Sequence, residues 1–340
     1  MSSEKHNRRE FLGKVAVGVA SAGMGDHLNA PAFAAEARHG IPYRALGRTG
    51  ERVSCIGLGG YHIGIQPTVD DSIRIVRTAI DNGINFMDNC WDYSGGDAEV
   101  RMGKALRDGY RRRVFLMTKI DSHLADAAAQ QIDQCLQRLQ TDQIDLLQIH
   151  EVIRLDDPDR VFAAGGTMEA LLAARQAGKI RFVGFTGHKD PDIHLKMLNM
   201  GFDWDTVQMP LNCVDTHHRS FEAKVLPVLV ERGIGVLGMK PLAAGEAVRS
   251  GTATAEECLR YAMSLPTSVV ITGCDTMPIL EQAIRVWCNF APMTPMEMAA
   301  LRARTAAHNA GGTLEGYKTS GRFDGTVRNP HWLTTASVTA

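Results

Sequence analysis

The chain of 340 residues carries 37 Lys and Arg against 38 Asp and Glu. It has no block of five or more like charges, so neither a nucleic acid nor an acidic polymer is indicated as a partner. Its 7 cysteines form no C-x-x-C pair, which argues against a disulfide framework and against a metal site of the zinc or iron–sulfur kind. The length suits one large α/β domain of roughly 250 residues with extensions.

The first 34 residues are predicted to be a twin-arginine export signal. Paired arginines at 8–9 precede a phenylalanine and a leucine, a short apolar stretch occupies 15–25, and small residues at 32–37 offer an A-x-A cleavage site. The apolar stretch is too short and too rich in glycine to span a membrane, which takes about 20 residues. A disordered or docking N-terminus is the alternative.

Cleavage of this signal is expected after Ala34, with Ala37 as the alternative position. The expected partner of the segment is the twin-arginine export machinery, which carries folded proteins. The protein is therefore expected to fold, and to acquire any cofactor, before it reaches the periplasm. No stable membrane anchor is expected.

From residue 43 onward, strand-like and helix-like segments alternate. A hairpin is predicted at 43–58, with its turn at Arg48-Thr49-Gly50. The strand-like runs that follow are 85–88, 114–119, 144–150, 180–186, 205–210, 234–239 and 268–272. The helix-like segments are 70–82, 97–107, 125–140, 167–177, 191–200, 220–232, 254–264 and 278–288. Pro227 is expected to kink or shorten the helix that contains it.

The strand-like runs are continuously apolar, which is typical of a parallel sheet covered on its outer face. About eight strand–helix units predict a (β/α)8 barrel over 43–290. A C-terminal helix and tail at 291–340 are expected to fold over the barrel mouth. A doubly wound open sheet is the alternative, but the run GLGGYHIG at 57–64 lacks the spacing of a dinucleotide-binding G-x-G-x-x-G loop.

Four polar residues stand at or just past the ends of successive strand-like runs. Asp88 and Tyr93 follow the run NFMD, Lys119 closes VFLMTK, and His150 closes IDLLQIH. Each residue alone has an ordinary structural explanation, but the active sites of such barrels lie at these strand ends. A phenol has a pKa of about 10, and a neighbouring ammonium and imidazole would stabilise its anion. Tyr93 is therefore a candidate acid, with an expected pKa lowered toward the working pH.

Longer stretches of the chain point to a known family. They are YRALGRTGERVSCIGLGG at 43–60, AIDNGINFMDNCWDYSGGDAE at 79–99, VFLMTK at 114–119, IDLLQIH at 144–150, IRFVGFTGH at 180–188, VQMPLN at 207–212 and GIGVLGMKPLAAG at 233–245. Together with Asp88-x4-Tyr93, Glu99, Thr118-Lys119 and His150, they resemble the aldo-keto reductase family. The resemblance implies a barrel enzyme that uses NADPH or NADH without a metal.

The resemblance also implies a role for each strand-end residue. Tyr93 would be the proton donor, Lys119 and Asp88 an ion pair that tunes it, and His150 the group that orients the carbonyl. The physical chemistry agrees, because a hydride that reaches a carbonyl carbon leaves negative charge on the oxygen, and hydrogen-bond donors aimed at that oxygen stabilise the transition state. In the reverse direction Tyr93 would act as the base of an alcohol dehydrogenase.

Cofactor contacts are implied at the ends of the fifth to seventh strands. Thr186 and Gln208 match positions that bind the nicotinamide amide, whereas Gly187 stands where many members have Asn, and His188 is the candidate substitute. Met239 lies where an aromatic side chain often covers the nicotinamide ring. The remaining candidates near the first two strands and the pyrophosphate are Gly60, Tyr61, Asp88, Lys240, Leu242, Ala244 and Gly245.

The segment after the last strand leads into a helix, an arrangement that binds anions late in such barrels. The candidates there are Gly273, Cys274, Asp275 and Gln282. Gly273 and Ile279 occupy places where family members usually carry the basic residues that hold the 2′-phosphate of NADP, and Gln282 and Ala283 replace a usual Glu-Asn. The sequence therefore leaves NADP and NAD both open.

The substrate is expected to be a small molecule with a carbonyl or alcohol group. The candidate pocket residues are Tyr61, His62, Trp91, the segment 151–166, and His217 or His218, with Tyr317, Phe323, His331 and Trp332 in the tail. A mixture of aromatic residues and histidines favours a polar carbonyl or a sugar over a steroid. Two other functions stay open, a lyase or isomerase that uses Lys119 as a Schiff base and a non-catalytic cofactor-binding regulatory barrel.

Overall fold

The computed structural model of the chain describes residues 37–334. The expected export signal at 1–34 lies outside the described residues, and so does the end of the tail at 335–340. Within 37–334, no helix combines the length and the apolar character that a membrane crossing requires.

A small antiparallel sheet precedes the barrel. Its strands Ala37–Arg38, Ile41–Ala45 and Arg52–Ser54 pair in chain order. The turn between the last two brings Gly47 against the seventh barrel strand, because a Cβ on Gly47 would lie 2.3 Å from the backbone nitrogen of Gly235. The predicted hairpin is therefore confirmed, and it packs against the end of the barrel opposite the active site.

Eight parallel strands form the closed barrel. They are β1 (Ile56–Gly59), β2 (Phe86–Asp88), β3 (Phe115–Ile120), β4 (Ile144–Ile149), β5 (Ile180–Thr186), β6 (Thr206–Pro210), β7 (Gly235–Met239) and β8 (Val269–Thr272). Each pairs with its neighbours in chain order, and β8 closes on β1. The (β/α)8 prediction is confirmed, with one correction, because β1 lies inside the stretch 43–58 that was predicted to be only a hairpin.

Helices connect the barrel strands and continue past β8 into the C-terminal segment. The longer ones are Val69–Asp81, Asp97–Ala105, Ala125–Leu139, Thr167–Gln176, Pro191–Leu198, Ala255–Ser264, Met277–Cys288 and Pro295–Ala306. The shorter ones are Tyr61–Gly64, Asp157–Phe162, Phe221–Lys224, Leu226–Glu231, Glu246–Arg249, Gly316–Thr319 and Gly325–Arg328. The predicted helix 220–232 is split at Val225, and Pro227 lies in the first turn of its second part. This break is where proline was expected to shorten the helix.

Aromatic rings fill the barrel interior near the antiparallel sheet. The rings of Phe86 and Phe115 stack with centroids 5.5 Å apart, and Phe182 stacks on Phe115 at 6.1 Å. Leu46 and Val53 from the hairpin are fully buried in the same cluster. This packed end leaves the carboxyl ends of the strands as the face on which polar side chains gather.

The C-terminal segment contacts the loops at that face. Glu151, next to His150, accepts hydrogen bonds from the backbone nitrogens of Gly325 and Thr326, both at 2.7 Å. The backbone oxygen of Trp332 accepts a 2.8 Å hydrogen bond from the backbone of His123. These contacts place residues 325–332 over the loops that follow β3 and β4.

Candidate active site

Lys119 lies at the centre of a buried polar cluster. Its side chain is 1% exposed, and its ammonium pairs with the carboxylate of Asp88 from the adjacent strand. The same nitrogen donates to the backbone oxygen of Asn89 at 2.7 Å and to the hydroxyl of Tyr93 at 3.3 Å. One ammonium therefore joins the ends of β2 and β3 and contacts the phenol directly.

Tyr93 begins a tight turn just after β2. The three residues after it, Ser94, Gly95 and Gly96, have left-handed φ angles of 55°, 64° and 97°. Two of the three are glycine, which adopts such angles at little cost. The phenol ring packs edge to face against the ring of His150, with centroids 5.9 Å apart. The structure thus brings together all four residues expected at the strand ends.

Burial controls the acidity of Tyr93. It raises the pKa of the phenol well above its usual value, and the carboxylate of Asp88 adds to the effect. This direction is opposite to the lowering expected from Lys119, because desolvation of the anion outweighs the nearby cation. The phenol is therefore held in its protonated form, in which it can donate.

His150 has a partner that the sequence reasoning did not select. Its Nδ1 lies 2.7 Å from Oδ1 of Asp121, a fully buried carboxyl just past the end of β3. The thiol of Cys90 lies 3.2 Å from the same nitrogen and 3.6 Å from the other Asp121 oxygen. Asp121 comes two residues after Lys119, and its position at a strand end was the signal that could have identified it.

Burial also shifts the acidity of this second cluster. It raises the pKa of Asp121 to about 7, and it lowers the pKa of His150. Both shifts favour the uncharged forms of the two groups. The carboxyl and the imidazole therefore compete for a proton in a site where neither has a strong counter-charge.

Gln208 provides a test of whether a nicotinamide fits the site. Its amide nitrogen donates weakly to Asp88 at 3.4 Å, whereas its buried amide oxygen has no hydrogen-bond partner among the described residues. Leaving such an acceptor unpaired costs about 1–3 kcal/mol. The carboxamide N–H of a bound nicotinamide would donate to this oxygen. Thr186 pairs with Gln208 across β5 and β6 and is 2% exposed, so the two residues expected to bind the carboxamide lie side by side.

Gly187 and His188 are constrained by their surroundings. A Cβ on Gly187 would lie 2.2 Å from the backbone oxygen of Val152, so the Asn common at this position in the family has no room. His188 has its Nε2 2.9 Å from Oδ1 of Asp324 in the C-terminal segment, and burial lowers its pKa to about 3. The ring nitrogen proposed for a cofactor contact is thus already paired with the tail.

The loop after β7 is strained over several residues. Lys240, Ala243 and Ala244 have left-handed φ angles of 54°, 51° and 57°, a region that costs energy for residues other than glycine, and Gly245 follows with 88°. Such strain clusters at functional sites and ligand clamps. Leu242 lies in the same partly buried turn. This is the loop in which the pyrophosphate contacts were expected.

Lys240 points toward the C-terminal segment rather than along the loop. Its ammonium lies 3.6 Å from the sulfur of Met239 and 5.3 Å from the centre of the Tyr317 ring. Burial, with Lys119 nearby, lowers the pKa of Lys240 to about 8. No Asp or Glu among the described residues forms an ion pair with this ammonium, which is consistent with a role toward an anion.

The ends of β1 and β8 pack closely. A Cβ on Gly60 would lie 2.4 Å from the backbone oxygen of Asp88, and one on Gly273 would lie 2.0 Å from the ring of His62. Both positions therefore require glycine, because neighbouring atoms already occupy the space that a side chain would need. His62, a candidate substrate contact, is held against β8 by this packing, next to Tyr61, which is 52% exposed.

The remaining candidates after β8 differ in exposure. The Cys274 side chain is fully buried, whereas Asp275 and Gln282 are exposed. The helix Met277–Cys288 begins at Thr276, whose side chain accepts from the backbone nitrogen of Ile279. The first turn of this helix is thus capped by the protein itself.

Two of the candidate substrate contacts have structural partners. His217 lies with its Nε2 3.0 Å from the hydroxyl of Thr305, so it holds the C-terminal helix. The indole nitrogen of Trp91 donates to Gln134 at 2.6 Å, and its ring meets that of Trp332 edge to face at 5.4 Å. Trp91 and Trp332 therefore form part of the contact between the loop after β2 and the tail.

Comparison with known proteins gives consistent matches. The model of the Aldo/keto reductase family matches residues 55–250. The chain is 34% identical over 223 residues to L-galactose dehydrogenase of Arabidopsis thaliana, covering 62% of this chain and 68% of that protein. It is 31% identical over 212 residues to the aldo-keto reductase YhdN of Bacillus subtilis, covering 58% of this chain and 61% of that protein.

A solved structure shares the fold. The holo form of aldo-keto reductase AKR11C1 from Bacillus halodurans superposes with a TM-score of 0.66 at 22% identity, covering 78% of this chain and 96% of that one. At this identity the likeness concerns the fold alone. It agrees with the sequential closed barrel described above.

Proposed function

The chain belongs to the aldo/keto reductase family of oxidoreductases, and from this premise we propose that it interconverts a carbonyl and an alcohol with Tyr93 as general acid and base. The observation that carries the proposal is the contact of the Lys119 ammonium with both Asp88 and the Tyr93 hydroxyl, the latter at 3.3 Å. The ring of His150 lies against the same phenol. The phenol and the imidazole would thus both be near a substrate oxygen bound at Tyr93.

A nicotinamide dinucleotide, when bound, supplies or takes up the hydride. Gln208 and Thr186 would hold its carboxamide, and the strained loop that contains Lys240 and Gly245 would hold its phosphates. The unpaired oxygen of Gln208 supports this assignment.

The residues of the chain divide the acid–base work. In carbonyl reduction Tyr93 donates its proton to the oxygen as negative charge develops there, and Lys119 stabilises the phenolate that remains. Asp88 holds the ammonium in place through the buried ion pair. In alcohol oxidation the same phenolate takes the proton back.

We propose NAD(H) as the preferred cofactor. From Gly273 to Ile284 the chain has no Lys or Arg, and Asp275 and Glu281 are acidic. A 2′-phosphate carries close to two negative charges and is normally held by cations. Ile279 is 41% exposed where such a cation would be expected.

We propose a sugar or another small polar carbonyl as the substrate class. The relative in Arabidopsis thaliana is named for its action on L-galactose, and the barrel mouth of this chain combines histidines, carboxyl groups and half-buried aromatic rings. The Schiff-base alternative is disfavoured, because Lys119 is 1% exposed and its ammonium is taken up by three oxygens. No observation favours a non-catalytic barrel.

The experiment that tests this function uses the purified full chain. Mass spectrometry of any released cofactor identifies what is bound, and a panel of aldehydes, ketones and sugars is then screened with NAD(H) and NADP(H). Turnover of at least one polar carbonyl or sugar is expected. Binding of a cofactor that is never oxidised or reduced across the panel would favour the regulatory barrel instead.

We also propose that the protein is exported folded to the periplasm. The paired arginines at 8–9 and the following apolar stretch support this location. The cysteines are compatible with it, because six of the seven are buried and none forms a disulfide among the described residues.

A further inference from the structure

The contact between Asp121 and His150 restricts how His150 can act. Oδ1 of Asp121 lies 2.7 Å from Nδ1 of the imidazole. The backbone of Asp121 is held in place, because its nitrogen donates to the side-chain oxygen of Gln131 at 2.9 Å. Its side chain is fully buried, and the described part of the chain offers it no Lys or Arg ion-pair partner.

The hydrogen-bonding capacities of the two groups determine what His150 presents to a substrate. An ionised carboxylate only accepts, so a neutral imidazole beside it must place its single N–H on Nδ1. Nε2 then carries no hydrogen and cannot donate to a carbonyl oxygen. One additional proton, on the carboxyl or on the ring, restores an N–H at Nε2.

We propose that Asp121 is a positioning residue that shares one proton with His150, so that the protonated pair presents an Nε2 donor to a carbonyl and the deprotonated pair presents an acceptor to an alcohol. This inference rests on the proposed function and gives the pair a different role in carbonyl reduction and in alcohol oxidation. No group is oxidised or reduced in the switch. One proton enters or leaves the pair, and the imidazole changes the nitrogen that carries hydrogen.

Burial supports a pair that carries the proton near neutral pH. It raises the pKa of Asp121 to about 7 and lowers that of His150, so the uncharged arrangement, in which the carboxyl donates to Nδ1, is favoured over a carboxylate beside an imidazolium. The other titratable groups that face the pair are Cys90, Asp92, Tyr93, Lys119, Glu151 and Lys240. Lys119 is already paired with Asp88, which limits its influence on Asp121.

Cys90 offers a way to tune the pair without removing it. Its sulfur lies 3.6 Å from Oδ2 of Asp121, and this thiol hydrogen bond favours the ionised carboxylate. Burial raises the pKa of Cys90 well above its usual value, so the thiol stays protonated. Its loss is therefore expected to make the pair hold its proton to higher pH.

The kinetic test compares pH profiles of kcat/KM in both directions. For the wild-type chain, reduction should fall and oxidation should rise as pH increases through the midpoint of the pair. Asp121→Asn should remove this pH-dependent limb, the fall of reduction and the rise of oxidation, from both profiles. Cys90→Ala should move the midpoint of the limb to higher pH. Glu222→Gln is the control, since Glu222 is another carboxyl, 13% exposed, whose pKa is raised to about 7 but which contacts Tyr261 and Arg302 instead.

A second measurement does not depend on turnover. The ¹⁵N shifts of the His150 ring, assigned with His150→Gln, report which nitrogen carries hydrogen between pH 5 and 9. The inference requires Nε2–H at the acidic end and its loss at the alkaline end. It is overturned if Nδ1–H with bare Nε2 persists throughout, or if Asp121→Asn retains the kinetic limb at an unchanged midpoint. If Asp121→Asn fails to fold, Cys90→Ala is the deciding variant, and an unmoved midpoint in that variant overturns the inference. Absence of any carbonyl turnover would instead overturn the proposed function.

Discussion

The ammonium of Lys119 lies 3.3 Å from the hydroxyl of Tyr93 while it is ion-paired with Asp88. Because burial raises the pKa of the phenol, the cation does not make Tyr93 acidic in the resting chain. Its effect is expected in the transition state, when the phenol proton has partly moved to the substrate and the phenolate needs a counter-charge.

Tyr93→Phe should therefore lower kcat by about 100- to 10,000-fold, the range typical of general acid catalysis, while cofactor affinity stays near the wild-type value. Steady-state kinetics and calorimetric titration of the cofactor measure the two effects. Tyr110→Phe is the control, because the Tyr110 hydroxyl donates to Asp81 on the outside of the barrel. A Tyr93→Phe variant with near-normal kcat would exclude Tyr93 as the proton donor.

The four strand-end residues were predictable because their signal is local. Each apolar run ends with a polar side chain, and in a parallel barrel all such ends meet on one face. Asp121 escaped prediction although it lies in the same sequence neighbourhood. A short run such as KIDS is also typical of a loop, and only the tertiary contacts with His150 and Cys90 give its carboxyl a chemical role.

Two further differences between the sequence-based prediction and the structure, at the start of β1 and at Gly187, have causes that lie far away in the sequence. The stretch VSCIGL from Val53 to Leu58 contains no proline or charged residue, so nothing local marks Cys55 as the point where the chain leaves the antiparallel sheet and enters β1. At Gly187 the absence of a side chain depends on the backbone of Val152 in the neighbouring loop. The sequence therefore located the family positions but did not explain why this chain departs from them.

The packing at Gly187 predicts that the residue usual in the family is not tolerated here. Gly187→Asn should lower the free energy of unfolding by about 1–3 kcal/mol, because its Cβ would overlap the Val152 oxygen. Urea denaturation measures the change. Gly316→Ala is the matched control, since a Cβ there makes only a 3.7 Å contact with Phe323 and should leave stability nearly unchanged. Full stability of Gly187→Asn would show that the loop can move aside.

The lack of cations after β8 predicts cofactor preference. The wild-type chain should bind NADH at least about 10-fold more tightly than NADPH, and Ile279→Arg should reduce this ratio about 10-fold by adding one charge-assisted hydrogen bond. Ile279→Gln is the control that changes polarity without charge. Calorimetric titrations with both cofactors give the ratios. Tighter binding of NADPH by the wild type would contradict the preference.

The paired arginines near the N-terminus predict the route of export. Replacement of Arg8 and Arg9 by Lys keeps the charge but removes the guanidinium groups that such signals require. The double variant should stay unprocessed in the cytoplasm, whereas Lys5→Arg should be exported and cleaved normally. Cell fractionation and N-terminal sequencing of the mature chain measure both outcomes. Equal processing of the two variants would argue for another route or for no export.

The contact between His188 and Asp324 predicts that acid weakens the docking of the C-terminal segment. Burial lowers the pKa of His188 from an ordinary value of 6.5 to about 3, so the folded chain resists protonation that the unfolded chain accepts. The pKa of Asp324 is also lowered, with His188 the first group that favours its ionised form. Stability from His188 is therefore present above pH 6.5 and is lost as pH falls from there toward 3.

Each pH unit in that window should cost about 1.4 kcal/mol of unfolding free energy from this residue. Urea denaturation at pH 7 and at pH 5.5 gives the slope, and limited proteolysis of the segment 313–333 shows where the structure loosens. His188→Gln should flatten the slope by about one proton, because it removes the titrating ring, whereas His308→Gln, on an exposed residue, should not. An unchanged slope in His188→Gln would mean that other groups govern the acid response, and the His188–Asp324 contact would then serve only to orient the tail over the barrel mouth.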